Sequence, residues 1–207
     1  MTLVHTGAGG RAATKLQQQL AEDNTGRRPT ALDAFKSARR WFLAGRRIDM
    51  TALADDLGVN RVTLYRWVGS RDQLLVEVLW SLAQRTLDVA EEQVSELGSE
   101  RVVQIVTRFI EAVIANAGMR RWVSDEGEAA MRLLTRRRTD FQPRLIDALH
   151  RLLAEEAQAN RLTLPVDLRE VAYVLVRLVE SYVYLDLITG EQPDARRAEP
   201  IVRLLLR

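Results

Sequence analysis

The pattern of apolar and polar positions is most specific between residues 49 and 75. Leu53 and Leu57 lie one turn apart on the buried stripe of a short helix, and the Asp49 carboxylate can cap the free N–H groups at its start. Gly58 suits the left-handed turn that ends this helix, because glycine adopts a positive φ without steric cost. The pattern therefore predicts two short helices joined by a tight glycine turn and followed directly by a third.

The second short helix is predicted from Arg61 to Val68, with Asn60 as its cap. Leu64 and Val68 occupy one side, and the other positions form a basic and aromatic arc. Arginine side chains can donate to guanine edges and phosphates, hydroxyl groups can bind phosphate oxygens, and apolar surface can contact thymine methyl groups. We therefore predict a helix-turn-helix that places this arc in the major groove of DNA. The candidate DNA-binding residues are Thr51, Arg61, Val62, Thr63, Tyr65, Arg66, Trp67 and Arg71.

The aromatic residues of this arc also have a simpler interpretation. Tyr65 and Trp67 can be packing groups of a small helical domain whose arginines form a solvated face. Trp67 in particular can pack against the first helix of the domain instead of facing DNA. The glycine turn and the strand-free context favour the DNA-binding interpretation for the arc as a whole.

The sequence around this turn resembles the TetR-type family of bacterial repressors. The resemblance rests on the Thr-Leu-Tyr run that ends at Tyr65 and on Arg71, a basic residue that opens the next helix after a Gly-Ser turn. It is specific over residues 30–82 and only architectural over the rest of the chain. Arg71 corresponds to the family's DNA-backbone anchor, which is usually a lysine, and the family usually has an aromatic residue at the position of Val68.

The resemblance also implies roles for the residues of the arc. Thr63 and Tyr65 correspond to phosphate contacts. Arg61 and Val62 correspond to base-reading positions, and Arg66 to either kind of contact. The family resemblance further implies a homodimer, in which two-fold related helices read the two halves of a palindromic DNA operator. It implies a ligand-responsive repressor, released when a small hydrophobic effector fills the C-terminal domain.

The rest of the chain is predicted to be helical, because it has no sustained alternation of apolar and polar residues and no repeat of about 20 to 50 residues. Gly98 and Gly118 are predicted to separate helices, and Ser99, Asp125 and Asp140 to cap them. The predicted helices outside the turn region span residues 30–45, 72–97, 99–117, 125–135, 140–160, 165–189 and 194–206.

The predicted fold class is therefore all-α, with three regions. Residues 1–28 form an N-terminal extension whose opening is small and flexible in composition. Residues 29–75 form a three-helix helix-turn-helix DNA-binding domain. Residues 76–207 form a helical effector-binding and dimerisation domain, joined to the first domain through the long helix that starts near Asp72.

Two late helices have more apolar surface than one intramolecular contact would hide. The stretch 171–188 is apolar nearly all round, and the helix over 140–160 has a broad leucine-rich face. Two such helices from each subunit can form a four-helix interface, so we expect them to build the dimer. The apolar positions on the earlier helix are Leu145, Ile146, Leu149, Leu152 and Leu153.

Aromatic and aliphatic residues with a few polar groups in the C-terminal half are typical of a small-molecule site. This half also resembles the QsdR-type regulators of lactone catabolism within the TetR family, which implies a lactone or an acyl compound as effector. The alternative is an ordinary core in which Arg177 and Glu180 form an i, i+3 ion pair. The candidate ligand-binding residues are Phe109, Val113, Trp122, Met131, Leu134, Phe141, Tyr173, Arg177, Glu180 and Tyr184.

The residue inventory argues against an enzyme. The 207-residue chain has no cysteine, and its two histidines are His5, in the extension, and His150, on a leucine-rich helix. We identify no metal-ligand cluster and expect no cofactor. Adjacent carboxylates at 55–56, 91–92 and 155–156 point about 100° apart on a helix, so we interpret them as solvated faces and not as acid/base pairs. An all-α enzyme and a constitutive DNA-binding protein without a ligand are the alternatives.

Basic residues are concentrated in the half that contains the helix-turn-helix. The first 75 residues have 12 Lys or Arg against 7 Asp or Glu, although the whole chain has a formal net charge of only +2. This surplus suits contact with a few phosphates in each half-site.

The apolar run 171–188 contains Arg177, Glu180 and Asp186, each of which would cost about 2.5 kcal/mol or more to insert into lipid. We therefore predict a cytoplasmic protein without a membrane partner.

Overall fold

The computed structural model describes residues 28–135 and 139–207. Every regular element in these ranges is helical, which confirms the all-α prediction. The predictions for residues 1–27, including His5, lie outside the described residues. The elements are α1 (Ala31–Leu43), α2 (Met50–Asp56), α3 (Arg61–Val68), α4 (Arg71–Gln93), α5 (Gly98–Ala115), α6 (Ala117–Thr135), α7 (Phe141–Gln158), α8 (Leu168–Val183), α9 (Leu185–Thr189), a 3₁₀ turn (Ala195–Arg197) and α10 (Glu199–Leu205).

Helices α1, α2 and α3 pack around a small shared core. The Asp49 carboxylate accepts hydrogen bonds from the first N–H groups of α2 at 2.8 and 2.9 Å, and the Asn60 side chain caps α3 at 2.8 Å. Gly58 adopts the expected left-handed conformation with a φ of 63°. Leu53 and Leu64 are completely buried between the helices. The predicted caps and turn of the two short helices are therefore confirmed, and so is the burial of Leu53 and Leu64, whereas Leu57 and Val68 are half-buried.

Helix α4 connects these three helices to the rest of the chain. It begins with a capping box formed by Ser70 and Gln73. It ends at Gln93 and not near residue 97 as predicted, because Val94 becomes extended and buries its side chain in the core. Since α4 packs on α1, α5 and α6, it is the main structural link between the two halves of the protein.

Helix α6 differs from the sequence prediction at its start. The element Ala117–Thr135 consists of two helical segments that meet at a kink at Glu126, so the predicted new start at Asp125 lies beside the observed kink, whereas the break predicted at Gly118 falls at Asn116. Gly118 lies inside α6 against the backbone carbonyl of Phe42, where an added β-carbon would come within 2.1 Å of the oxygen. This glycine therefore permits close approach of α6 to α1 instead of ending a helix. The backbone leaves helical geometry at Glu126 instead, with φ −135° and ψ 33°.

Helices α5 and α6 meet at a bend of 67°. Asn116 stabilises the bend by accepting a hydrogen bond from the N–H of Met119 at 2.9 Å. Arg120 donates to the carbonyl of Ala115 at 2.6 Å and so satisfies the end of α5. Among the described helices, none is long and apolar enough by itself to cross a membrane, and only this bent pair meets the length and composition limits together.

Helices α7 and α8 pack against each other and against α5. The expectation that the leucine-rich face of α7 forms a subunit interface is wrong, because this face packs inside its own chain. Helix α8 begins at Leu168 and not at Pro165, and it is interrupted at Tyr184 before α9. The leucines of α7 that are at most 3% exposed are Leu145, Leu149, Leu152 and Leu153.

Glu156 overturns the interpretation of residues 155–156 as a solvated pair, because its side chain is completely buried. Its carboxylate accepts hydrogen bonds from Arg161 at 2.6 Å, from the N–H of Gly98 at 2.8 Å and from Arg101 at 2.9 Å. The bond from Arg161, followed by that from Gly98, holds the pKa of Glu156 down at about 2. We call these four residues the Glu156 cluster. It fixes the start of α5 against the end of α7.

Candidate DNA-binding surface and ligand cavity

Helix α3 presents most of the candidate DNA-binding residues to solvent. Arg61 and Arg66 are exposed, and so are Val62 at 75% and Tyr65 at 41%. Leu64 faces the opposite way and is completely buried. The basic and aromatic arc inferred from the helical period is thus an exposed surface, and its contact with DNA stays a prediction.

Three further candidates lie at the margins of this arc. Thr51 is exposed in the first turn of α2, where its N–H is bound by the Asp49 carboxylate. Thr63 is half-buried. Trp67 is also half-buried, so part of its ring packs against the protein and part remains accessible. These side chains border the exposed surface of α3 without forming its centre.

The two arginines at the centre of the arc retain free charge. The guanidinium of Arg61 lies 6.0 Å from the centre of the Tyr65 ring, which is within cation–π range. Neither Arg61 nor Arg66 has an ion pair with any residue in the described ranges. Their donors are therefore available to phosphates or base edges.

Arg71 is placed differently from what the family resemblance implies. Its guanidinium donates two hydrogen bonds to the Glu126 carboxylate, at 2.7 and 2.9 Å, and its Nε donates to the backbone carbonyl of Ile48 at 2.8 Å. Arg47 approaches the same carboxylate to 3.3 Å. Because Glu126 marks the irregular point of α6, these contacts join the start of α4 to α6. A contact between Arg71 and a DNA phosphate stays a prediction. It would require guanidinium donors that are bound here to Glu126 and to the carbonyl of Ile48.

A cavity of about 70 Å³ lies among α4, α5, α6, α7 and α8. Its wall is mainly apolar, as is typical of small-molecule sites. The candidate ligand residues divide into two groups by their position. Those on the wall are Phe109, Val113, Leu134, Phe141, Glu180 and Tyr184, and those outside it are Trp122, Met131, Tyr173 and Arg177.

The four outlying candidates occupy other environments. Trp122 packs edge-on against Phe42, with ring centres 6.1 Å apart, where α6 crosses α1. Tyr173 is 47% exposed on the outside of α8. Met131 is half-buried against the core, and Arg177 lies behind the cavity wall in contact with one of its carboxylates. Helical spacing alone did not distinguish these faces from the face that borders the cavity.

Sequence reasoning missed the contribution of α4 to the cavity wall. Leu79, Leu82, Ala83 and Thr86 line it from α4, which was predicted only as a connecting helix. The apolar positions of α4 extend over more than one face, and this pattern could have indicated a second buried contact. Phe42 of α1 also reaches the wall, so the cavity touches the DNA-binding half of the protein.

One corner of the cavity is polar. Glu180 lies on the wall with its side chain 14% exposed, and it pairs with Arg177 at 2.8 Å as the i, i+3 alternative predicted. Gln142 donates to Glu180 and, at 2.9 Å, to the carbonyl of Leu134, and its side-chain oxygen accepts from Arg177. Burial raises the pKa of Glu180, although Arg177 and Gln142 act in the opposite direction. We call Gln142, Arg177, Glu180 and Tyr184 the polar corner.

Tyr184 completes this corner at the end of α8. It is only 4% exposed, and burial raises the pKa of its hydroxyl far above the usual range, so the group is neutral. Within the described residues, its hydroxyl makes no hydrogen bond. The cavity wall therefore carries a neutral hydroxyl beside a carboxylate.

A second cavity, of about 290 Å³, adjoins the first. Val113, Met119 and Val183 border both spaces and separate them. Arg120 and Asp186 lie on the wall of the second cavity. Movement of the three apolar side chains would join the two spaces into a site of the size usual for ligands, about 300 Å³ or more.

Comparison with known proteins relates both halves of this structure to one family. A family model described as the tetracyclin repressor-like C-terminal domain matches residues 97–207. The structure of QsdR, a TetR-family transcriptional repressor from R. erythropolis, is similar with a TM-score of 0.78 and 29% identity, over 85% of this chain and 93% of that chain. A comparison with curated protein sequences found no match.

Two further solved structures share the fold. The TetR-family repressor AlkX from Dietzia sp. strain DQ12-45-1b has a TM-score of 0.58 and 21% identity, over 87% of this chain and 97% of that chain. The regulator FadR from Bacillus subtilis, solved in complex with stearoyl-CoA, has a TM-score of 0.57 and 13% identity, over 84% and 97% of the respective chains. At these identities the similarity establishes the fold alone.

The resemblance identified from the sequence is therefore confirmed. The family model covers more than half of the chain, and the similarity to QsdR extends over the helix-turn-helix as well as the C-terminal helices. Members of the family combine an N-terminal helix-turn-helix with a C-terminal ligand-binding domain, and they are in general regulators and not enzymes. This chain belongs to the TetR family of transcriptional regulators.

Proposed function

We propose that this protein is a homodimeric repressor that binds a palindromic operator through α3 and is released by a small hydrophobic effector. The proposal is carried by one observation: α4 lines the cavity and begins directly after the exposed basic helix α3. A ligand that shifts α4 must therefore also shift α3. The domain division at residues 75–76 that the sequence predicts suits this arrangement, because it falls near the start of α4.

The exposed arc of α3 supplies the proposed DNA contacts. Arg61 and Val62 would read base edges, because they lie at the exposed start of the helix. Thr63 and Tyr65 would bind phosphates through their hydroxyl groups, and Arg66 would make either kind of contact. The proposed contacts at the margin are Thr51, Trp67 and Arg71.

Exposed apolar side chains on the outside of the C-terminal half support a homodimer. Tyr173 and Val174 are 47% and 39% exposed on α8, and Leu187 and Ile188 are 41% and 57% exposed on α9. Exposed large apolar side chains of this kind are typical of protein contacts. We propose this face as the subunit contact in place of the buried face of α7. Two-fold pairing would present two α3 helices to the two half-sites of an operator.

Helix α6 offers a route from the cavity to the DNA-binding helices. Met119 and Leu134, near its two ends, line the cavity. Glu126, between them, holds Arg71 at the start of α4. We propose that an effector favours an arrangement of α4 and α6 in which the two α3 helices no longer match successive major grooves, about 34 Å apart.

A lactone or an acyl compound is the proposed effector. The mainly apolar wall suits an aliphatic chain, and the polar corner suits a carbonyl group. The FadR structure contains stearoyl-CoA, which is an acyl compound, and the similarity to QsdR supports the lactone class named by the sequence resemblance. The volume of the inner cavity favours a compact ligand or the end of a longer one.

Footprinting of the purified protein on the DNA upstream of its own gene, with and without lactones and acyl compounds, tests operator binding and release together. Arg61→Ala should lower operator affinity by about 1–3 kcal/mol and relax selectivity at one base pair in each half-site. Arg108→Ala is the matched control, because Arg108 is an exposed arginine on α5.

Sedimentation of the same samples tests whether the protein forms a dimer. If the Arg61→Ala protein binds the operator with the affinity and selectivity of the parent protein, α3 is not the DNA contact surface. A protein that binds its operator selectively but responds to no ligand in the series would be a constitutive DNA-binding protein.

A further inference from the structure

Two polar groups at one corner of the mainly apolar inner cavity have unused hydrogen-bonding capacity. The Glu180 carboxylate accepts from Gln142 and Arg177, whereas an ionised carboxylate has about four acceptor positions. Tyr184 is only 4% exposed at the same corner, and its hydroxyl makes no hydrogen bond among the described residues. The cavity therefore offers one hydroxyl donor and one strong acceptor side by side.

The charges in this corner are arranged asymmetrically about the wall. Glu180 is 14% exposed and borders the cavity, whereas its partner Arg177 lies behind the wall and is 36% exposed. Arg177 also donates to Gln142, and among the described residues its Nε has no hydrogen-bond partner. An anionic ligand in the cavity would lose its hydration and meet a like charge, whereas an uncharged ligand would not.

We propose that the polar corner selects an uncharged carbonyl ligand that also carries an N–H or O–H group, and that it rejects the carboxylate anion of the same shape. The carbonyl oxygen accepts from the Tyr184 hydroxyl, and the N–H or O–H group donates to Glu180. An aliphatic chain longer than the inner cavity passes between Val113, Met119 and Val183 into the adjoining space. This inference rests on the proposed function, because it specifies the effector of the same cavity.

Three small probes of nearly equal shape separate charge from hydrogen bonding: hexanamide, 2-heptanone and hexanoate. Hexanamide both accepts and donates, 2-heptanone only accepts, and hexanoate is an anion at pH 7.5. In NMR titrations of the full-length protein we expect hexanamide to bind most tightly and 2-heptanone second. Hexanoate should bind at least about tenfold more weakly than hexanamide, the factor that corresponds to 1.4 kcal/mol.

Variants assign the preference to individual groups. Glu180→Gln removes the charge but keeps the shape, so it should reduce the difference between hexanamide and hexanoate to less than about threefold. Tyr184→Phe should weaken hexanamide and 2-heptanone alike, because both lose the hydroxyl donor. Glu170→Gln, which changes an exposed carboxylate on the same helix, is the matched control and should keep the parental order. Val113→Trp should abolish binding of all three probes, because it fills the wall between the two spaces.

Equal binding of hexanoate and hexanamide to the parent protein overturns the inference, and so does a preference that survives Glu180→Gln. Failure of all three probes to bind also overturns it. If the inference is overturned in one of these ways but lactones or acyl compounds still release the protein from its operator in the footprinting experiment, the proposed function stands. If the probe order is found but no compound releases DNA, the proposed function falls and the inference about the cavity stands.

Discussion

The C-terminal half buries two carboxylates in opposite ways, one at the Glu156 cluster and one at the polar corner. Glu156 is completely enclosed and accepts from Arg161, Gly98 and Arg101, which keeps its pKa at about 2. Glu180 borders a cavity, and burial raises its pKa despite its ion pair. Two side chains of the same chemistry thus experience opposite electrostatic surroundings within one helical bundle.

The number and position of the donors explain the difference. Two guanidinium groups and a backbone N–H converge on Glu156, so its charge is balanced within the cluster and acts to hold helices together. The polar corner has one cation, Arg177, which pairs with Glu180 at 2.8 Å from outside the cavity wall, so fewer donors balance the Glu180 charge. Burial alone therefore does not decide in which direction the pKa of a carboxylate shifts, because its set of hydrogen-bond donors also contributes.

The largest expected effect comes from Glu156→Ala. Removal of the carboxylate leaves the N–H of Gly98 and two arginines without their buried acceptor, so the free energy of unfolding should fall by about 3–5 kcal/mol. Urea denaturation measures this loss. Glu155→Ala is the control at the exposed neighbouring position, where loss of the ion pairs with Arg151 at 3.1 Å and Arg101 at 3.5 Å should cost less than about 1 kcal/mol. Equal losses in both variants would contradict the special role of the cluster.

The contributions of the two carboxylates to the free energy of unfolding should change with pH in opposite directions. Because the folded pKa of Glu156 is about 2 and its ordinary value is 4.5, its stabilisation is complete above pH 4.5 and is lost as the pH falls towards 2. The raised pKa of Glu180 has the opposite consequence: its ionisation destabilises the fold at neutral pH, and acidification relieves that cost.

The measurement is a series of urea unfolding curves between pH 7 and pH 2. The advantage of the parent over Glu156→Gln should shrink on acidification, by up to about 3 kcal/mol if each pKa unit contributes about 1.4 kcal/mol. The free energy of unfolding of the parent should instead rise relative to that of Glu180→Gln as the pH falls. Parallel curves for the two variants would show that the carboxylates do not differ as the hydrogen bonds indicate.

The smallest effect is expected for Glu180→Gln at neutral pH. The variant loses an ion pair with a partly exposed arginine but no longer buries a charge, so its stability should stay the same or rise by about 1 kcal/mol. Thermal unfolding without ligand measures the change. A loss of more than about 2 kcal/mol would place Glu180 with Glu156 among the structural carboxylates.

The sequence predicted well the local features of the helix-turn-helix, whereas the predicted side-chain caps at Ser99 and Asp140 make no cap hydrogen bond. Asp49 and Asn60 cap α2 and α3, and Gly58 turns between them, because each acts on backbone groups a few residues away. The exposed arc of α3 and the all-α fold follow from helical periodicity in the same manner. The ion pair between Arg177 and Glu180 is equally local, since residues three apart meet on a helix.

Contacts between distant segments were decided only by the packed structure. Arg71 meets Glu126 across a separation of 55 residues, and Glu156 meets Gly98 across 58. Similarly, Leu145 and Leu149 share one apolar stripe, yet only Leu145 borders the cavity. A helical pattern shows which side of a helix is buried, but the crossing angles and close approaches of other helices, such as that at Gly118, decide what covers it. The sequence therefore determined the local geometry of the DNA-binding surface, whereas tertiary packing determined the cavity and the role of each buried charge.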